Sequence, residues 1–146
     1  MTTDRVQADQ AALLAVYEYL IGNTDWDITS MRNILLLQAE GVDKVLTIPY
    51  DFDFAGLVNA PYASPSSESK LRNVQDRFMM DMGLDRKLMR QATETIIAAR
   101  ADLMRLCQSP QLSAKAQAEV QQFMDRFFDA ASQYRNLPGV LRLSDK

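Results

Sequence analysis

Four side chains carry most of the chemistry this sequence has to offer: Asp25 and Asn33 before a pair of short apolar runs, and Asp51 and Asp53 after it. A carboxylate can orient an attacking hydroxyl and accept its proton, while further carboxylates and an amide oxygen supply the hard ligands that magnesium requires on nucleotide phosphates. Metal-assisted phosphoryl transfer needs those parts and needs no histidine. The chain has no histidine and one cysteine, Cys107, so histidine catalysis, Cys/His zinc sites and internal disulfides are excluded.

The elements between these residues are what must bring them together. Ile34-Leu35-Leu36-Leu37 and Val45-Leu46-Thr47-Ile48 are apolar runs separated by the polar stretch 38–44, which contains Gly41. That pattern reads as an antiparallel hairpin. The start of the first strand and the end of the second then lie side by side, which draws Asp25 and Asn33 towards Asp51 and Asp53. From Pro49 to Gly56 aromatic and acidic residues alternate strictly, so an extended chain would put both acids on one face and Phe52 and Phe54 on the other. Each residue also has a plain structural reading. Asp25 and Asn33 are common turn residues, and Arg32 or Lys44 could neutralise Asp51 and Asp53 in an ion pair without any metal. Trp26 reads as a packing anchor, the methionines as core filling and Cys107 as inert.

Around the hairpin the periodicity predicts helices. Residues from Asp4 to about Ile21 place Leu13, Val16, Tyr17 and Leu20 on one stripe, with Thr3 or Asp4 as N-cap and Gly22 and Asn23 as the stop. Residues 57–67 read as an ordered loop or flap. Three more helices are expected: Ser69 to about Met82, Asp85 to about Cys107 and Ser113 to about Tyr134, the last two capped by Asp85 and Ser113. The tail from Leu137 to Lys146 is expected to pack through Val140 and Leu141. The fold class is therefore mainly α (α+β), with one β-hairpin and about four helices, and residues 1–146 read as a single domain.

The composition, 47% hydrophobic and 24% charged, is that of a folded globular chain. A net charge of -3 argues against nucleic acid or an anionic membrane as general partner, because both need a basic surface. No signal peptide or membrane span is legible, so a cytoplasmic location is expected.

A carboxylate in a loop, an amide a little later, a tight hairpin and a carboxylate just past it is the order of parts in the catalytic lobe of protein-kinase-like enzymes. The segments YLIGNTDW (Tyr19 to Trp26), RNILLL (Arg32 to Leu37) and IPYDFDFAGLVNAPYA (Ile48 to Ala63) also resemble an uncharacterised bacterial family distantly related to the HipA-like and CotH-like atypical kinases. The resemblance covers most of the chain and is strongest over PYDFDFAGLVNAPYA. It implies a helical kinase-like C-terminal lobe that uses ATP and magnesium, with Asp25 as catalytic base, Asn33 and Asp51 as cofactor-binding residues, and Asn33, Asp51 and Asp53 as metal ligands.

Three departures from the kinase pattern bear on that expectation. Asp25 and Asn33 are eight residues apart, where the kinase loop spaces them by about five, so the loop must bulge or Asp27 must substitute. Arg32 stands where a histidine is expected. Only a few residues precede the expected first helix, and none of the five glycines forms a phosphate-gripping loop. The expected partner is therefore an N-terminal lobe from a longer or separate chain, or a homodimer mate. The competing expectation is a non-catalytic, pseudokinase-like interaction domain.

Overall fold

Helix α1, Ala8–Ile21, is the element against which the rest assembles: it packs on two later helices and on a strand. It is apolar on nearly every side, burying Ala11, Ala12, Leu14, Ala15, Val16, Leu20 and Ile21. A helix of that kind belongs inside a domain, not on its surface. The single stripe expected from periodicity is thus corrected, and Leu13, expected in the core, is 37% exposed. The helix also starts later than expected, because residues 5–7 run alongside Val45 instead: Val45 N–H donates to Arg5 O at 2.9 Å and Gln7 N–H to Val45 O at 3.0 Å. This computed structural model describes residues 5–132, so Thr3, Asp4, Tyr134 and the tail from Leu137 to Lys146 lie outside the described residues.

The expected hairpin is present. Strands β1 (Ile34–Leu37) and β2 (Leu46–Pro49) pair antiparallel, with Leu35 opposite Ile48 and Leu36 opposite Thr47. The outer edge of β2 is closed by a side chain. Gln10 of α1 accepts from the Thr47 backbone N–H at 2.9 Å and donates to the Thr47 carbonyl, so an amide side chain takes the place of a neighbouring strand. The face of the hairpin turned from α1 is apolar and open, with Leu35 58%, Leu37 55% and Ile48 40% exposed.

The four α-helices among the described residues are not the four expected. Helices α2 (Arg86–Ala98), α3 (Arg100–Leu106) and α4 (Ala114–Ser132) join α1, whereas residues 70–84 form no helix beyond a short 3-10 turn at Ser67–Ser69. Local side chains compete with helix there. Asn73 Oδ1 takes the Gln75 N–H and Asp81 Oδ1 the Gly83 N–H, and Lys70 has a left-handed φ of 56°. The helix expected from Asp85 to Cys107 breaks at Ala99, between α2 and α3. Both predicted N-caps hold. Asp85 Oδ1 accepts from Lys87 N–H at 2.7 Å, and Ser113 Oγ from Ala116 N–H at 3.1 Å.

The core joins α1 to α4 through Leu20, Val16, Phe123 and Phe127, with Trp26 and Ile28 buried beneath the loop that follows α1. Met79, Met80 and Met82 pack against this core, as gap fillers should. Gly56 is a point of backbone contact: a Cβ there would lie 2.5 Å from Val74 O and 3.0 Å from Gln75 Cα. Main-chain atoms cannot swing aside, so Gly56→Ala is expected to destabilise the fold by about 2–3 kcal/mol in urea unfolding. A loss within experimental error would show that the 56–74 contact is loose.

Candidate functional site at the open end of the hairpin

The site begins where α1 ends. Gly22 takes a left-handed φ of 68°, and the Gly22 and Asn23 N–H groups turn back onto the Tyr19 and Glu18 carbonyls. The remaining carbonyls are used to dock other segments. Leu20 O accepts from Arg77 Nε at 3.0 Å, Ile21 O from Leu57 N–H at 2.9 Å and Gly22 O from Gly56 N–H at 3.0 Å. The helix end thereby clamps the stretch after Asp53 beside the loop that carries Asp25. Thr24 adds a link to the flap, its Oγ1 accepting from Ser66 N–H at 2.9 Å.

Asp25 is oriented from both sides. Asn23 Oδ1 accepts its N–H at 3.0 Å, and Asn33 Nδ2 donates to its carbonyl at 2.7 Å and its Oδ2 at 3.0 Å. The three additional residues between Asp25 and Asn33 are absorbed by a closed turn: Asp27 and Arg32 exchange backbone hydrogen bonds of 3.1 and 2.9 Å. Asp27 does not substitute for Asp25. Its carboxylate is spent inside that turn on the Thr29 N–H, the Thr29 hydroxyl and the Ser30 hydroxyl. Burial alone would raise its pKa, but those bonds outweigh it and hold the group below the usual carboxylate range.

On the other side of the hairpin end, Tyr50 N–H donates to Asn33 O at 3.0 Å, which sets Asn33 next to the start of the acidic segment. Asp51 has a left-handed φ of 60°, and so does Asn33 at 54°, so the chain turns instead of extending. The expected alternation of faces is therefore corrected. Phe52 goes inward, edge-on to Tyr17 with ring centres 6.0 Å apart, while Phe54 goes outward to Tyr62 at 5.9 Å. The two acids nonetheless meet. The hydrogen bond and charge of Asp53, with a smaller contribution from Asp25, raise the pKa of the solvent-exposed Asp51. Tyr62 joins them, its hydroxyl bonded to Asp53 and its pKa raised first by that bond.

Arg32 is not the counter-ion expected for Asp51 and Asp53. It lies 3.8 Å from Asp25 Oδ1 and 4.0 Å from Glu68, a residue of the 3-10 turn; Lys44 makes no described ion pair. Three contributors were missed from sequence: Glu68, Tyr62 and Asn23. For Tyr62 a signal existed, an aromatic side chain in a polar loop just after two acids.

Asp51 and Asp53 therefore come together with no counter-ion among the described residues, a donor pair suited to a hard cation. Asn33 gives its amide nitrogen to Asp25, so a cation would meet its Oδ1. No three His, Cys, Asp or Glu side chains among the described residues stand together as a metal cage, so any ion here would rely on Asn33 and on oxygens from its ligand. A hollow of about 550 Å³ along the solvent face of α4 is lined by none of these residues, and the hollow beside Thr24 is only about 200 Å³. That is less than a nucleotide occupies in an ordinary pocket. No helix among the described residues is long and apolar enough to cross a membrane. The chain matches no protein-family model, no curated protein and no solved structure, and its functional reading rests on the geometry of this site.

Proposed function

We propose that this chain is the helical lobe of a kinase-like phosphotransferase acting on ATP with magnesium in the cytoplasm. The observation that carries the reading is that an Asn33-held Asp25 lies within electrostatic reach of the Asp51–Asp53 pair at one open hairpin end. Asp25, held at its backbone and Oδ2 by Asn33, would present Oδ1, which faces Arg32 at 3.8 Å, to an acceptor hydroxyl and take up that proton. Asn33, Asp51 and Asp53 supply oxygen ligands. Magnesium bound there would offset the charge of the nucleotide phosphates.

Positioning of the nucleotide requires a second surface, because a shallow site gives up most of the advantage of holding two reactants together. Leu35, Leu37 and Ile48 form an exposed apolar floor continuous with Tyr50 and the acids. A complementary lobe, from the same polypeptide, another chain or a homodimer mate, would close over it. The same exposed floor favours the second reading, a non-catalytic interaction module whose acids serve the loop structure alone.

Titration calorimetry with magnesium or manganese chloride, with and without ATP, separates the two. Binding in the parent protein, weakened at least about tenfold in Asp51→Asn, is expected of a phosphotransfer site. The absence of heat in every combination, from protein with an intact fold, would leave the interaction module as the reading.

A further inference from the structure

Four buried side-chain atoms among the described residues lack a hydrogen-bond partner, and three belong to two neighbours: both carboxylate oxygens of Glu18, and Nδ2 of Asn23. The fourth is Arg90 Nε. Two acceptors and one donor left over side by side are complementary. Glu18 is 0% exposed and Asn23 1%, so water outside the protein satisfies neither. The backbone holds them together, since Asn23 N–H donates to the Glu18 carbonyl at 2.9 Å. At its other end, the Asn23 amide accepts the Asp25 N–H. Oδ1 and Nδ2 share one rigid plane, so whatever holds Nδ2 decides where Oδ1 points.

We propose that Glu18 is a positioning residue for the acidic site: its carboxylate receives the Asn23 Nδ2 hydrogen bond and thereby sets the amide whose oxygen pins Asp25. Protonation weakens this grip, because a neutral carboxyl is a poorer acceptor than a carboxylate. Burial in α1 pushes the Glu18 pKa up to about 7, against a smaller opposing pull from the Asn23 amide, so the pin loosens within the physiological range.

Among the described residues no cation pairs with the carboxylate. From the segment after the 3-10 turn, Arg77 is directed at the Leu20 and Phe123 carbonyls. From α2, Arg90 makes no described ion pair; from α4, Arg126 lies over the Phe123 ring. β2 presents the uncharged Thr47, and on α1 itself Tyr17 feels the Glu18 charge.

The hydrogen-bond path from Glu18 to Asp25 is independent of any reaction, whereas its catalytic consequence rests on the phosphotransfer reading. The test is therefore spectroscopic. In the intact chain, the Asn23 side-chain amide and the Asp25 backbone amide are followed by NMR from pH 5.5 to 8.5. Both should shift together with an inflection near pH 7, persist in Asp25→Asn and vanish in Glu18→Gln, which cannot titrate. In Glu18→Met, exchange of the residue-25 amide should quicken about tenfold relative to amides in the middle of α1, the equivalent of one hydrogen bond. An inflection that survives Glu18→Gln, or none in the parent protein, overturns the proposal. Failure of ATP binding would leave these shifts in place, so the two readings fail separately.

Discussion

Replacing Arg77 with methionine should lower the unfolding free energy by about 3–5 kcal/mol, since two hydrogen bonds from a charged donor are lost and each is worth about 1.5–3 kcal/mol. Arg77 reaches from an irregular segment into the seam between α1 and α4. Its Nε donates to Leu20 O at 3.0 Å, its Nη2 to Phe123 O at 2.7 Å, and its guanidinium lies 4.0 Å from the centre of the Phe123 ring. Burial brings its pKa down to about 10, which leaves it charged at neutral pH. Lysine keeps the charge and loses the fork, so Arg77→Lys should recover less than half of the loss. The effect extends beyond stability. Leu20 belongs to the same helix end whose next two carbonyls dock Leu57 and Gly56, so a frayed end should also loosen the acidic segment. Urea unfolding monitored by the Trp26 fluorescence measures the first effect, and a loss under about 1 kcal/mol would mean that the two Arg77 hydrogen bonds contribute little.

The parts of this fold legible in the sequence are those set by neighbours along the chain. Gly22 and Asn23 stop α1, Asp85 and Ser113 start their helices, and two apolar runs around Gly41 make a hairpin, because each depends on a few consecutive residues. What could not be read depends on distant partners. Residues 69–82 have helical spacing, yet Leu71, Val74 and Phe78 follow the route that Gly56 and the Arg77 fork impose on them. The start of α1 is set by Val45, some forty residues away, which draws residues 5–7 into an extended pairing. At the site, the convergence of four residues followed from hairpin geometry alone. Their individual partners did not. Arg32 sits next to Asn33 in sequence but serves Asp25 and Glu68, and nothing local distinguishes Asp27, satisfied within its own turn, from Asp25, held open by Asn23 and Asn33.

The left-handed residues explain how this precision is reached. Asn33 and Asp51 both have positive φ, and they stand at facing ends of β1 and β2. Asn and Asp tolerate that conformation better than most residues, at some energetic cost. A regular strand would carry alternate side chains to opposite faces of the sheet. The two reversals instead turn Asn33 towards Asp25 and bring Asp51 onto Asp53. Part of the backbone strain, at two of the five described non-glycine residues with positive φ, therefore falls on residues whose orientation the site needs.

Glu18→Gln should stabilise the protein at pH 8 by as much as about 3 kcal/mol and have little effect near pH 4.5. In the folded chain Glu18 holds its proton up to about pH 7, whereas its ordinary value is 4.5, a difference worth on the order of 3 kcal/mol. Between those two values the folded state binds more protons than the unfolded state. Stability due to this group is therefore complete below about 4.5, falls as pH rises through 7 and is level above it. Glutamine carries no such dependence. Tyr62, its pKa raised above 10, stays protonated across this range, and any change in Asp51 is the same in both proteins and cancels in the difference. Paired thermal or urea unfolding at pH 4.5, 6, 7 and 8 measures that difference, and a constant gap across the range would mean that burial of Glu18 is not linked to its proton. A variant that is more stable at pH 8, yet less able to hold Asn23 against Asp25, would place this carboxylate among residues that cost the fold something in order to orient a site.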